Sequence, residues 1–228
     1  MKNLLMSGGK LLLAGTMLTS FTNRVNAAAT LSIYDGVNPL ITVVDNGPGD
    51  MIGAIGAILV QTNVGVWNLD INTAITKPLF GSATAPVMDL SVQASSTAAG
   101  SLRFVFSDNG FGPASGLLSA IVTGHVVSGA PTTVTYDVYG DPANVVGATT
   151  VHIASAGTTA LPTTATGSGP LALPAPFSLT QVETFVASGA TSIIADASFQ
   201  VVPEPGVMGL GALGLAVFAL GRPRRRQA

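Results

Sequence analysis

Apolar residues recur at every second position through the middle of the chain. In the run 66–71, Trp67, Leu69 and Ile71 share one face, while Asn68 and Asp70 take the other. Leu102, Phe104 and Phe106 alternate with Arg103 and Val105, and Val134, Tyr136 and Val138 with Thr133, Thr135 and Asp137. Ile193, Ala195, Ala197, Phe199 and Val201 alternate with Asp196, Ser198 and Gln200. A period of two is the signature of half-buried antiparallel strands, and the Thr, Val, Ile and aromatic content agrees. Turn residues separate the runs: Asp45 to Asp50 (DNGPGD), Asp108 to Gly110 (DNG), Ser128 to Pro131 (SGAP) and Tyr139 to Pro142 (YGDP). The pattern predicts strands over 31–34, 40–44, 54–60, 64–71, 87–93, 101–107, 117–127, 132–139, 149–154, 178–187 and 192–201. Residues 156–176, rich in Thr, Gly, Pro and Ala, read as a long loop. The expected fold is an all-β antiparallel sandwich, with a jelly-roll variant equally compatible.

Both ends depart from this pattern. Lys2 and Lys10 accompany an apolar run, Leu11 to Leu18, and small residues follow at Ala27, Ala28 and Ala29. A basic start, a short apolar core and a small-residue cleavage site predict a secretory signal peptide over 1–29, cut after Ala27 or Ala29. At the other end, Val202, Pro203, Glu204 and Pro205 precede an uncharged stretch from Gly206 to Gly221, and Arg222, Arg224, Arg225 and Arg226 follow. The prolines fix φ, and Pro203 offers no N–H, so an extended, accessible segment is expected with no strand running through it. As a helix, 206–221 spans roughly 24 Å. That is slightly short of a hydrocarbon core of about 30 Å, a gap that snorkelling arginines and local thinning close. The arginines belong on the cytoplasmic side. The expected organisation is a signal peptide (1–29), an exported domain (30–201) and a tail (202–228) with a transmembrane helix at about 206–221 and a basic end at 222–226.

This tail of Pro-Glu-Pro, apolar helix and arginine cluster resembles the PEP-CTERM sorting signal. The same tail also goes by the label of an ice-binding protein C-terminal domain, a label for a sorting tail. The resemblance implies processing by an exosortase, passage through the secretion machinery and an inner-membrane-anchored precursor. It further implies a mature protein at the cell surface or outside the cell, associated with exopolysaccharide or biofilm. The runs Leu31 to Gly36 (LSIYDG), Val44 to Asp50 (VDNGPGD), Trp67 to Asp70 (WNLD), Gly81 to Pro86 (GSATAP), Met88 to Leu90 (MDL), Phe106 to Gly110 (FSDNG) and Ser178 to Val182 (SLTQV) are similar to those of exported PEP-CTERM proteins with one all-β domain. That similarity implies a surface or matrix component.

Charge narrows the partners. Between residues 30 and 201 ten acids face two bases, Lys77 and Arg103, a net charge of −8 against −2 for the whole chain. Such a domain lacks the basic footprint of a nucleic-acid binder. The chain has no cysteine, so its core must hold it together without disulfides.

Candidate chemistry is sparse. His125 and His152 are the only histidines, and no Gly-x-Ser-x-Gly elbow, His-Glu-x-x-His or Walker loop is present. Gly209, Gly211 and Gly214 match G-x-G-x-x-G, but inside the apolar stretch, where close helix packing explains them. Asp45 and Asp50 in one tight loop are the candidate calcium ligands, with Asp108 to Gly110 a second acidic turn. Both also read as ordinary turns. Thr132, Thr133 and Thr135 form no repeating ladder of the kind an ice-binding face needs. The expected function is non-enzymatic, with no cofactor required. The alternatives are a carbohydrate- or calcium-binding adhesion module using Trp67, Tyr136 and Tyr139, with Trp67 assigned rather to the core, and a hydrolase with a spatial Ser-His-Asp triad at His125 or His152.

Overall fold

A computed structural model of the chain describes residues 29–203. The expected signal peptide up to residue 28, Glu204, Pro205, the expected transmembrane helix at about 206–221 and the basic end at 222–226 lie outside the described residues. Among those residues there are twelve strands and no helix: β1 (Thr30–Tyr34), β2 (Ile41–Val44), β3 (Ala57–Val64), β4 (Trp67–Ile75), β5 (Val87–Ser96), β6 (Gly100–Phe111), β7 (Ser115–Gly129), β8 (Thr132–Asp141), β9 (Val151–Ala160), β10 (Thr163–Ala172), β11 (Phe177–Ala187) and β12 (Thr191–Pro203). None of the described segments is a helix long and apolar enough to cross a membrane.

The strands form two six-stranded antiparallel sheets that pack as a β-sandwich. Sheet A runs β2-β1-β6-β11-β8-β9, and sheet B runs β10-β7-β12-β5-β4-β3. Apolar alternation decides the inner faces. Leu102, Phe104 and Phe106 of β6 and Phe185 of β11 face Met88, Leu90 and Val92 of β5 and Ile193, Ala195, Ala197 and Phe199 of β12 across one core. The Phe104 and Phe185 rings meet edge to face at 6.3 Å, and Phe111 stacks on Phe177 at 5.9 Å.

Two predicted boundaries move. The β3–β4 hairpin lies a few residues later than its pattern suggested, turning at Gly65 and Val66 with Val64 opposite Trp67. Gly65 is needed there: its φ is +54°, and a Cβ would overlap the Asp35 carboxylate. Beyond Leu69 a bulge resets the alternation, so the buried positions of β4 include Asn72 and Ala74 besides Trp67 and Leu69. Asn72 Oδ1 accepts from Gln93 N–H at 3.2 Å, and its Nδ2 donates to Val60 C=O at 3.4 Å, bridging the bulges of β3 and β4.

The expected loop over 156–176 is a correction. Strand β9 continues to Ala160, and β10 occupies Thr163–Ala172 as the edge of sheet B. An edge strand needs little apolar alternation, and Pro170 is tolerated there. Thr and Ser therefore fill the exposed positions, and Leu171 alone supplies a large buried side chain. The edge of sheet A lies directly against it, since a Cβ at Gly167 or Gly169 would overlap the carbonyls of Ser155 and Ile153. The prolines also interrupt the chain later than expected. Strand β12 runs through Val202 to Pro203, which sits opposite Gly116 of β7 at the sheet end.

Candidate functional site

The acidic turn between β2 and β3 is held by its own carboxylates. Asp45 Oδ2 accepts from Gly56 N–H at 2.7 Å, and Oδ1 from Asn46 Nδ2 at 2.7 Å. Asp50 Oδ2 accepts from Asn46 N–H at 2.9 Å, while Oδ1 accepts from Leu59 N–H at 3.0 Å and Ile52 N–H at 3.1 Å. All four oxygens thus serve the loop backbone or a turn side chain. Burial pushes the Asp45 carboxyl upward and the neighbouring Asp50 and Asp108 charges add to this, partly offset by the Gly56 N–H. The structure brings Asp45 and Asp50 together in one turn, with every carboxylate oxygen already accepting at least one hydrogen bond from within the domain. Among the described residues no group of three or more His, Cys, Asp or Glu side chains is arranged to hold a metal.

The second acidic turn builds a buried ion pair. Asp108 is fully buried, with Lys77 Nζ at 2.6 Å and the Thr76 hydroxyl at 2.9 Å from its Oδ2, and Asn109 N–H at 2.8 Å from Oδ1. Lys77 Nζ also donates to Asn109 C=O at 2.6 Å and lies 4.3 Å from the centre of the Phe111 ring. This cluster ties the segment after β4 to β6 across the two sheets.

Among the described residues neither histidine hydrogen-bonds a serine. His152 on β9 reaches Asp137 Oδ1 at 3.2 Å and touches the Tyr139 ring at 5.1 Å, both on the outer face of sheet A. His125 is exposed on β7, opposite Ile194 of β12. The aromatic trio considered for stacking on sugar is divided: Trp67 and Tyr136 are core residues, and only Tyr139 reaches the surface. Thr132 faces inward, while Thr133 and Thr135 face outward, where the Thr135 and Thr158 hydroxyls bond at 2.6 Å. Val202 and Pro203 of the expected sorting motif close β12, and Val202 is exposed.

Two features had no place in the sequence reading. The outer face of sheet B carries a shallow groove of about 210 Å³ lined by Phe80, Val87, Ser119, Ile121, Ser198 and Gln200. One row along the same face, Asp196 of β12 bonds the Ser91 hydroxyl of β5. The nearby Asp89 carboxyl is pushed up to about 6 by burial and by the Asp196 charge. The second feature is Gln181 and Glu183 of β11, both fully buried. Parity with Leu179 and Phe185 was the available signal. It was ambiguous because the opposite face also carries apolar Val182 and Val186.

No protein-family model matches the sequence, and neither does any curated protein. Among solved structures, the chain is similar to the enzymatically active domain of tailspike protein 4 of bacteriophage CBA120, at 15% identity and a TM-score of 0.32 over 69% of this chain. It spans about a fifth (21%) of that domain. A second similarity, to the VP2 subviral particle of infectious bursal disease virus, has 10% identity and a TM-score of 0.18, covering 86% of this chain and 68% of that one.

Proposed function

We propose that the protein is an exported, exosortase-processed component of the cell surface or extracellular matrix. Its β-sandwich takes a structural or interaction role associated with exopolysaccharide or biofilm. The observation that carries this reading is the tail: Pro203, Glu204 and Pro205, the uncharged run from Gly206 to Gly221, and the arginines from Arg222 to Arg226. The fold supports it in two ways. The twelve described strands end at Pro203, so removal of the sequence from Glu204 onward cuts none of them. The groove lies open on a sheet face and is lined by hydroxyl, amide and apolar groups, which suits contact with an extended partner better than enclosure of a small substrate.

The test is maturation in an exosortase-positive host, read as apparent mass and membrane fraction. Glu204 follows the last described strand in the sequence, between two prolines, where exposure is expected, so Glu204→Ala should change folding by no more than about 0.5 kcal/mol. Replacing Pro203, Glu204 and Pro205 together with alanine should leave the anchor and block release. Deleting 222–226 should weaken anchoring, since these cations strongly disfavour crossing the membrane. If the alanine variant matures like the original, the tail is an anchor alone and the proposal fails.

A further inference from the structure

Sheet A sends three polar side chains into the space between the sheets. Tyr136 comes from β8, Gln181 and Glu183 from β11, and Glu183 is in register with Tyr136 on one side and Phe104 on the other. All three are fully buried. The Tyr136 hydroxyl donates to Gln181 Oε1 at 2.8 Å. Gln181 Nε2 and both carboxylate oxygens of Glu183 have no hydrogen-bond partner among the described residues. The titratable groups that bear on Glu183 are Tyr136 from β8, Asp89 from β5 and Asp196 from β12. None is a cation. On β6 its neighbour is a phenyl ring, and along its own strand Gln181 and Phe185 flank it.

An ionised carboxylate without a donor or a counter-charge is costly in an interior. The neutral acid has no charge to desolvate and avoids most of that cost. We propose that Glu183 is a proton-dependent lock between the sheets: the neutral acid belongs to the closed sandwich, and loss of its proton loosens β8 and β11 from sheet B. Burial first, and then the Asp196 and Asp89 charges, hold the Glu183 carboxyl well above its ordinary value of 4.5.

The direction of the pH effect follows. A carboxyl raised in the folded state contributes its full stability below 4.5, and that contribution falls as pH rises until the folded protein itself loses the proton. Each pH unit in that window raises the unfolding equilibrium constant about tenfold. Asp89 adds an effect of the same sign, but only up to its value of about 6. Above that, Glu183 is the carboxyl that continues the trend.

The experiment is urea unfolding of the full chain in detergent micelles across neutral pH, for the original protein, Asp89→Asn, Glu183→Gln and Glu183→Met. The original and Asp89→Asn should lose stability with rising pH above 6, while both Glu183 variants should be flat whatever their absolute stability. Glutamate labelling gives a second measurement, because the chain has only two glutamates, Glu183 and Glu204. The infrared band of a protonated, labelled carboxyl should be present at neutral pH. A Glu183→Gln variant that keeps the slope overturns the proposal, and so does an original protein without that band. If neither Glu183 variant folds, the band alone decides.

Discussion

The Lys77–Asp108 pair offers the sharpest test of how this cysteine-free domain holds together. Lys77 Nζ is 2.6 Å from Asp108 Oδ2, and the two side chains are 10% and 0% exposed. Lys77→Met keeps much of the packing against Phe111 and removes the only cation at the site among the described residues. Asp108 then retains the Thr76 hydroxyl and Asn109 N–H but loses its counter-charge, and the Asn109 carbonyl loses its donor. Breaking one side of a buried pair typically costs about 3–5 kcal/mol, because the remaining charge is left uncompensated. For a domain of this size that is a fall in Tm of roughly 10 °C. Adding Asp108→Asn to Lys77→Met removes the stranded charge and should recover more than half of the loss. The assay is urea unfolding of the four corners of this cycle at neutral pH, repeated at high salt. Screening acts weakly on buried charges, so salt should change the result little. A single-variant cost below about 1 kcal/mol, the range of exposed ion pairs, would refute the account. So would a double variant no more stable than Lys77→Met.

Three further outcomes are expected. Gly56 has φ +86°, and a Cβ there would lie 2.5 Å from the Lys77 carbonyl, so Gly56→Ala should lower stability by about 1–3 kcal/mol in a melting experiment. Ala29 is buried and its carbonyl accepts Asp45 N–H at 2.9 Å, so signal cleavage should follow Ala27, leaving Ala28 as the first residue in N-terminal mass analysis. Asp50 accepts three backbone N–H groups, so Asp50→Ala should cost about 1.5–3 kcal/mol without calcium. Calcium added to the original protein should leave Tm unchanged, because binding would have to displace those contacts, whereas a rise abolished by Asp45→Ala with Asp50→Ala would assign the loop to calcium.

Strand identity was legible because alternation is local. Leu102 to Phe106 and Ile193 to Val201 declare their inner faces in the order of their residues, and both lie in strands with those faces buried. The turn at Asp45 to Asp50 was legible for the same reason, since Asp, Asn and Gly meet the demands of a tight turn within six residues. The expectations for the two ends are also linear, because charge, apolar length and small residues are read along the chain.

What required the tertiary structure was everything that depends on neighbours distant in sequence. Strand β10 is an edge whose Thr and Gly residues make sense only beside the carbonyls of β9. The bulge in β4 reverses parity because its partner strand is one residue short at that point, a fact absent from β4 itself. Lys77 finds Asp108 across 31 residues. Glu183 lies inward by parity with Leu179 and Phe185, and that parity was hidden because the outward positions Ser178, Thr180 and Val182 of β11 are buried as well. A strand buried on both faces gives alternation nothing to report. The sequence alone therefore determined most of the strands and the inner faces of those that alternate cleanly, whereas burial of charge, choice of edge and strand parity were decided by the pairing of the sheets.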